Sequence, residues 1–141
     1  MASRRFLLRA KSLRSTFFTL ATVLVVPSAF AHSIDDPKAL HGGQAVAAGS
    51  YHLELLVNDA EVQLYLYDKH NAPLWADSVK VAATIWTAAG ATEVALQPSK
   101  RNLLTAPSPI PAADILKITV QFSDEYGKPV QGWFPFTKTE Q

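Results

Sequence analysis

The sequence has no cysteine and a single methionine, Met1. The first absence excludes a disulfide framework, a thiolate zinc site, an iron–sulfur cluster and a cysteine nucleophile. The second excludes a methionine-rich Cu(I) site once the start of the chain is removed. Enzyme signatures are missing as well. There is no glycine-rich phosphate loop, no G-x-S-x-G elbow and no H-E-x-x-H helix. No spacing joins a serine to a histidine and an acid, so the chain reads as a binder and not as an enzyme. No segment of useful length has a helical period and there is no internal repeat, so long helices and solenoids are excluded too.

Charge of one sign is missing from the start of the chain. Residues 1–31 carry five basic residues (Arg4, Arg5, Arg9, Lys11, Arg14) and no acid. Residues 32–141 carry 8 of the 13 basic residues and all 12 acidic ones, a balance of −4 hidden by the formal net charge of +1. An acidic body with no Lys/Arg cluster cannot neutralise a run of phosphates, so nucleic acid is not an expected partner. The basic start is followed by an apolar run over residues 17–26, then Pro27 and the small-x-small triplet Ala29-Phe30-Ala31. That order predicts a signal peptide, residues 1–31, cleaved after Ala31. A run of about ten apolar residues falls short of the roughly 20 that span a bilayer, so no retained transmembrane segment is expected. Ser3-Arg4-Arg5-Phe6-Leu7-Leu8 resembles a twin-arginine motif, but the strongly apolar stretch well downstream favours ordinary Sec export. Either route predicts a periplasmic protein beginning at His32, with residues 32–41 as a flexible segment and 42–141 as one domain.

Alternation with period 2 dominates that domain. Residues 51–57 place Tyr51, Leu53, Leu55 and Val57 on one face and His52 and Glu54 on the other. After Asn58-Asp59-Ala60, residues 61–67 alternate again with Val62, Leu64 and Leu66 inward, which reads as a hairpin. Further strands are predicted over 79–86, 92–96, 116–122 and 130–136, with Val81, Ile85, Val94, Leu96, Ile118, Val120 and Phe122 inside. Pro98, Pro107, Pro109 and Pro111 argue against a central strand between 98 and 113. Six or seven short strands predict an all-β fold, an immunoglobulin-like antiparallel β-sandwich, with a small β-barrel as the alternative.

Four histidines remain after cleavage, His32, His41, His52 and His70, three of them within 21 residues. Imidazole suits copper and zinc, and a carboxylate can complete the shell. A chain beginning at His32 would offer an α-amino group beside an imidazole, as in histidine-brace copper proteins; otherwise His32 simply abuts the cleavage point. His41-Gly42-Gly43 permits positive φ and close backbone approach, and reads either as a presented ligand or as an ordinary turn. His52 and Glu54, at i and i+2, lie on one face. They share a metal or a proton, or they are two solvated side chains on the wet face. The candidate metal set is therefore His41, His32, His52 and Glu54, for Cu(II) or Zn(II). Trp75, Trp86, Trp133, Tyr65 and Tyr67 form either an exposed platform or aromatic packing under a loop.

Taken in order, His41-Gly42-Gly43, Leu53-Glu54-Leu55-Leu56-Val57, Leu64-Tyr65-Leu66-Tyr67-Asp68, Val94-Ala95-Leu96-Gln97-Pro98 and Asn102-Leu103-Leu104 resemble a group of small exported bacterial proteins associated with heavy-metal efflux systems. The His-Gly-Gly opening is also similar to the N-terminal module of some metal-efflux periplasmic adaptors. The resemblance covers roughly residues 41–136 and matches at His41 and Glu54; His32, His52 and His70 have no counterpart in it. It implies an immunoglobulin-like or related β-fold and a periplasmic place in metal handling, with an efflux adaptor or another envelope protein as partner. One departure stands out. Where glycine is expected after Asp68, this chain has Lys69-His70-Asn71-Ala72-Pro73.

Overall fold

A computed structural model describes residues 35–137. The expected signal peptide and His32 lie outside the described residues. Eight antiparallel strands follow one another: β1 (Gln44–Ala48), β2 (Tyr51–Val57), β3 (Glu61–Asp68), β4 (Val81–Thr87), β5 (Gly90–Lys100), β6 (Leu103–Pro107), β7 (Ile115–Ser123) and β8 (Pro129–Pro135). Two single-turn 3-10 segments, Ala76–Ser78 and Ala112–Asp114, are the helical content of the described residues. None of the described helices is long and apolar enough to cross a membrane.

The all-β antiparallel expectation holds, and between its two architectures the strands form the barrel-like one. They make a single sheet in the order β1-β2-β3-β6-β5-β4-β7-β8. A sandwich needs two separate sheets, whereas here the long strand β5 belongs to both halves. Its first part pairs with β4, Val81 opposite Leu96 through Thr87 opposite Gly90. Its end pairs with β6, with a register shift between Pro98 and Lys100. A bulge of this kind bends a strand and lets a sheet curl on itself. Curling brings the two end strands together: Gln44 Nε2 donates to the Pro135 carbonyl at 2.9 Å. A Cβ built on Gly132 of β8 would lie 2.6 Å from Leu53 Cδ1 and 3.6 Å from Val46 Cγ2, so a side chain there would have to displace the Leu53 methyl.

Two strands escape the sequence reading. β1 precedes the first strongly alternating segment. β6 is central, between β3 and β5, despite the prolines around it. Pro107 sits at the end of the β3–β6 ladder opposite Glu61, Pro98 lies in β5 opposite Leu104 at the register shift, and residues 103–106 contain no proline. Proline removes a ladder donor only where it stands, so prolines that bracket a strand do not forbid it.

Inward residues of every strand meet in one core. Leu53, Leu55, Val62, Leu64, Leu66, Ala83, Ile85, Leu104, Ile118, Val120 and Phe134 are essentially inaccessible. Burial of each such large aliphatic or aromatic side chain contributes roughly 1.5–3 kcal/mol, enough for a domain without disulfides. A bulge in β7, where Thr87 pairs with Ile115 and Trp86 with Lys117, lets both Ile115 and Ile118 point inward.

Candidate functional site

His52 and Glu54 do lie opposite the core-facing Leu53 and Leu55, as alternation requires. They are nevertheless buried, at 1% and 0% exposure. The wet-face reading of this pair is therefore overturned. Residues 35–43, which include 35–41 of the segment expected to be flexible, form a strap across the outer side of β2 and β3. The strap is fastened at both ends. Asp35 N donates to Lys69 O at 3.1 Å, Asn71 Nδ2 to Asp36 O at 3.0 Å, and Lys38 N to Asn71 Oδ1 at 3.2 Å.

Glu54 is the other fastening. Its Oε1 accepts from the backbone N–H groups of His41 (2.7 Å) and Gly43 (3.0 Å). Its Oε2 accepts from Leu40 N (3.1 Å), His41 Nδ1 (3.0 Å) and the Tyr67 hydroxyl (3.3 Å). Three backbone donors converging on one carboxylate make a small anion nest. Both glycines of the His-Gly-Gly motif are needed for it. Gly42 takes φ +83°, and a Cβ on Gly43 would lie 2.5 Å from Leu55 O. Burial by itself raises the Glu54 carboxyl. The Gly43 N–H, the His41 ring and the His41 N–H outweigh burial and hold its pKa below the usual 4.5. Tyr67, buried beside that carboxylate, is pushed up to about 12 by desolvation and then by the Glu54 charge, so it remains a donor.

His41 is held on three sides. Its ring stacks on Tyr65 with centroids 3.6 Å apart and planes 6° from parallel. Nδ1 lies between Glu54 Oε2 and the Tyr67 oxygen, the latter at 3.1 Å. The carboxylate acceptor puts the proton on Nδ1. The neutral ring is left with a lone pair on Nε2, and its side chain is 40% exposed. Register explains the grouping, because Glu54 stands opposite Tyr65 and His52 opposite Tyr67 across β2 and β3. Tyr65 and Tyr67 thus pack under a covering segment, the second of the two readings open for them.

His52 occupies the same covered face with different partners. Asn71 donates its amide to Asp36 and accepts from Lys38, which leaves Oδ1 facing His52 Nδ1 at 2.9 Å. His52 therefore carries its proton on Nδ1, and its buried Nε2 has no hydrogen-bond partner among the described residues. Asn71 has φ 62°. Asparagine is among the few non-glycine residues that adopt this conformation readily, so it serves where a glycine was expected after Asp68. The Asp68 carboxylate accepts from His70 N (2.8 Å) and Ala72 N (2.9 Å). Burial raises its pKa, and these N–H groups, Ala72 first, bring it below the ordinary value. His70 itself is exposed, 3.5 Å from Asp35.

Of the candidate set, the fold brings His41 and Glu54 into contact, seats His52 nearby against Asn71, and leaves His32 outside the described residues. Among the described residues no group of three or more His, Asp or Glu side chains is placed to hold an ion. Their donor set fits a metal only in part: one imidazole nitrogen, with a carboxylate behind it already saturated by five donors. Asn71, Tyr65 and Tyr67 complete the cluster, and their part depends on strand register and a positive φ that no local motif announces. No family model, no curated protein and no solved structure matches the chain.

Proposed function

We propose that this chain is an exported periplasmic protein of heavy-metal handling, a carrier or efflux accessory, in which His41 is the pivotal ligand for Cu(II) or Zn(II). One observation supports this above others: Glu54 and Tyr67 commit His41 Nδ1 and Tyr65 holds the ring flat, so Nε2 is the nitrogen left to offer. A carboxylate on the far nitrogen orients an imidazole ligand and raises its basicity. Glu54 acts behind the ligand and not at the ion. His32, with its imidazole and, after cleavage, its α-amino group, is the natural source of further donors. His52 joins them only if the strap lifts, because its side chain is buried. The ion's chemistry here is that of bound cargo, and the protein's part is selective, reversible capture.

Calorimetric titration of the chain beginning at His32 with Cu(II) and with Zn(II) tests this. His41→Ala is expected to lose at least tenfold in affinity, about 1.4 kcal/mol, and His70→Ala to behave as wild type. Unchanged affinity in His41→Ala, or equal losses in both variants, rejects the site. A second reading, a metal-free module docking on an efflux adaptor or another envelope protein, has its own support. Trp75 is 62% exposed with the Arg101 guanidinium 5.6 Å from its ring centroid, and tryptophan and arginine are the residues that most often dominate interfaces. Absence of metal binding by the wild-type chain favours that reading.

A further inference from the structure

Among the described residues, no strap covers the opposite side of the barrel. Strands β4, β7 and β8 present Trp86 on β4, Gln121 on β7, and Gln131 and Trp133 on β8 to solvent, with Lys117 of β7 half-buried and Thr119 buried among them. Trp86 is 38% and Trp133 59% exposed. Lys117 stands between them, its Nζ 4.6 Å from the Trp86 ring centroid and 5.1 Å from that of Trp133. Trp86 Nε1 donates to Thr119 Oγ1 at 3.4 Å, and Thr119 is paired with Trp133 across β7 and β8. The two indoles and the ammonium are therefore held as one unit on a sheet face, not as loose surface side chains.

We infer that this face binds an anionic glycan, with the exposed indole faces stacking on sugar rings and Lys117 pairing with a carboxylate or sulfate on the sugar. Charge supplies the first argument. Among the described residues, no lysine or arginine lies within 4.0 Å of a carboxylate, and the ion pairs present are those of His41 and His70. Lys117 is thus without a carboxylate partner and has the Trp86 and Trp133 rings beside it, in a chain whose body is otherwise acidic. The carboxylate bordering the face, Glu93 on β5, is in register with Thr84 and not with Lys117.

The second argument is what accompanies the indoles. A protein-binding patch needs an aliphatic and aromatic centre that becomes dry. The outward positions around the tryptophans hold Thr84, Gln121 and Gln131 with two small apolar residues, Ala82 and Pro135, while Thr119 is buried beneath the indoles and Leu116 is confined to the bulge. Aromatic faces carry negative quadrupole charge and attract the polarised C–H groups of a sugar ring. Amides and hydroxyls at the margin match its hydroxyls, and one ammonium selects an acidic sugar over a neutral one. The His41 cluster, on the outer side of β2 and β3, takes no part.

Calorimetric titration of the chain beginning at His32, with a chelator present, compares an oligogalacturonate with a neutral glucan of the same length. The acidic oligosaccharide is expected to bind at least tenfold more tightly than the neutral one, and added salt to narrow the difference. Trp133→Ala and Lys117→Gln should each weaken binding at least tenfold while keeping unfolding midpoints close to wild type; His41→Ala should bind normally. No binding of the oligogalacturonate at millimolar concentration, equal binding of the neutral glucan, or full affinity in Trp133→Ala overturns the assignment. Tighter binding of a polyglutamate peptide than of the oligogalacturonate also overturns it, in favour of an acidic protein segment.

Discussion

The two outer faces of this barrel obey the same alternation and end in opposite states. On β2 and β3, every second residue points away from the core, yet His52, Glu54 and Tyr67 are buried as completely as Leu53 or Leu66. On β4, β7 and β8 most of the equivalent positions stay open, Thr119 excepted, and Trp133 is more than half exposed. Strand periodicity decides which side of the sheet a residue faces. Whether that side is wet depends on chain from elsewhere, here residues 35–43. The covered face is thereby pressed to satisfy the polar groups it buries, since each orphaned donor or acceptor costs about 1–3 kcal/mol, and among the described residues His52 Nε2 is the buried side-chain atom left without a partner. The open face is under no such demand and can leave a lysine unpaired.

Glu54→Ala strikes hardest at this difference. It removes the acceptor of three backbone N–H groups, the His41 ring and the Tyr67 hydroxyl at once. Part of the loss is recovered if the strap swings into water, so the expected destabilisation is about 3–5 kcal/mol, measured by urea unfolding. A loss below about 1 kcal/mol would mean that the carboxylate binds the strap no better than water does.

Acid makes a smaller and reversible version of the same cut. The folded pKa of Glu54 lies below the unfolded value of 4.5. A depressed folded pKa contributes stability that is fully present above the unfolded value and fades as pH falls from there through the folded value. Asp68, which holds the loop beside the strap, is shifted in the same direction. Lowering pH from about 6 to about 3 should therefore loosen the covered face first. Backbone amide resonances of His41, Gly43, His70 and Ala72 are expected to move together, while those of Thr119 and Gln121 stay in place. Movement on the open face alone would contradict the assignment of these carboxylates as fastenings.

Much of the inner surface was legible in the sequence because alternation is local. Leu53, Leu55, Val62, Leu64, Leu66, Ile85, Ile118 and Val120 all point where their parity placed them. The glycines of His41-Gly42-Gly43 were legible too, since Gly42 takes a positive φ and a Cβ on Gly43 would lie 2.5 Å from Leu55 O. The sequence favoured a sandwich over the barrel-like sheet that forms, because closure rests on the bend in β5, and a Pro98 that reads as a strand-breaker sits at that bend. The burial of His52 and Glu54 was out of reach for another reason. It depends on Asn71, 19 residues along from His52, binding both the histidine and the strap. No period or spacing encodes such a bond.

Trp133→Ala is the smallest expected effect and sets the other limit of the contrast. The indole is 59% exposed and in register with Thr119. Its charge contact, to Lys117 Nζ at 5.1 Å, is longer than the 4.6 Å contact that Lys117 keeps with Trp86. A cation–π pair at an exposed site contributes about 0.5–1 kcal/mol, and the lysine does not lose its remaining partner. The expected change in unfolding free energy is therefore within about 1 kcal/mol, several times smaller than for Glu54→Ala under the same conditions. If the two variants were equally destabilised, the open face would be part of the structural core of the barrel. If Trp133→Ala is nearly silent, nothing in folding accounts for a large indole held in water beside an unpaired ammonium. The face is then free to serve a ligand, at a stability cost the inner core easily absorbs.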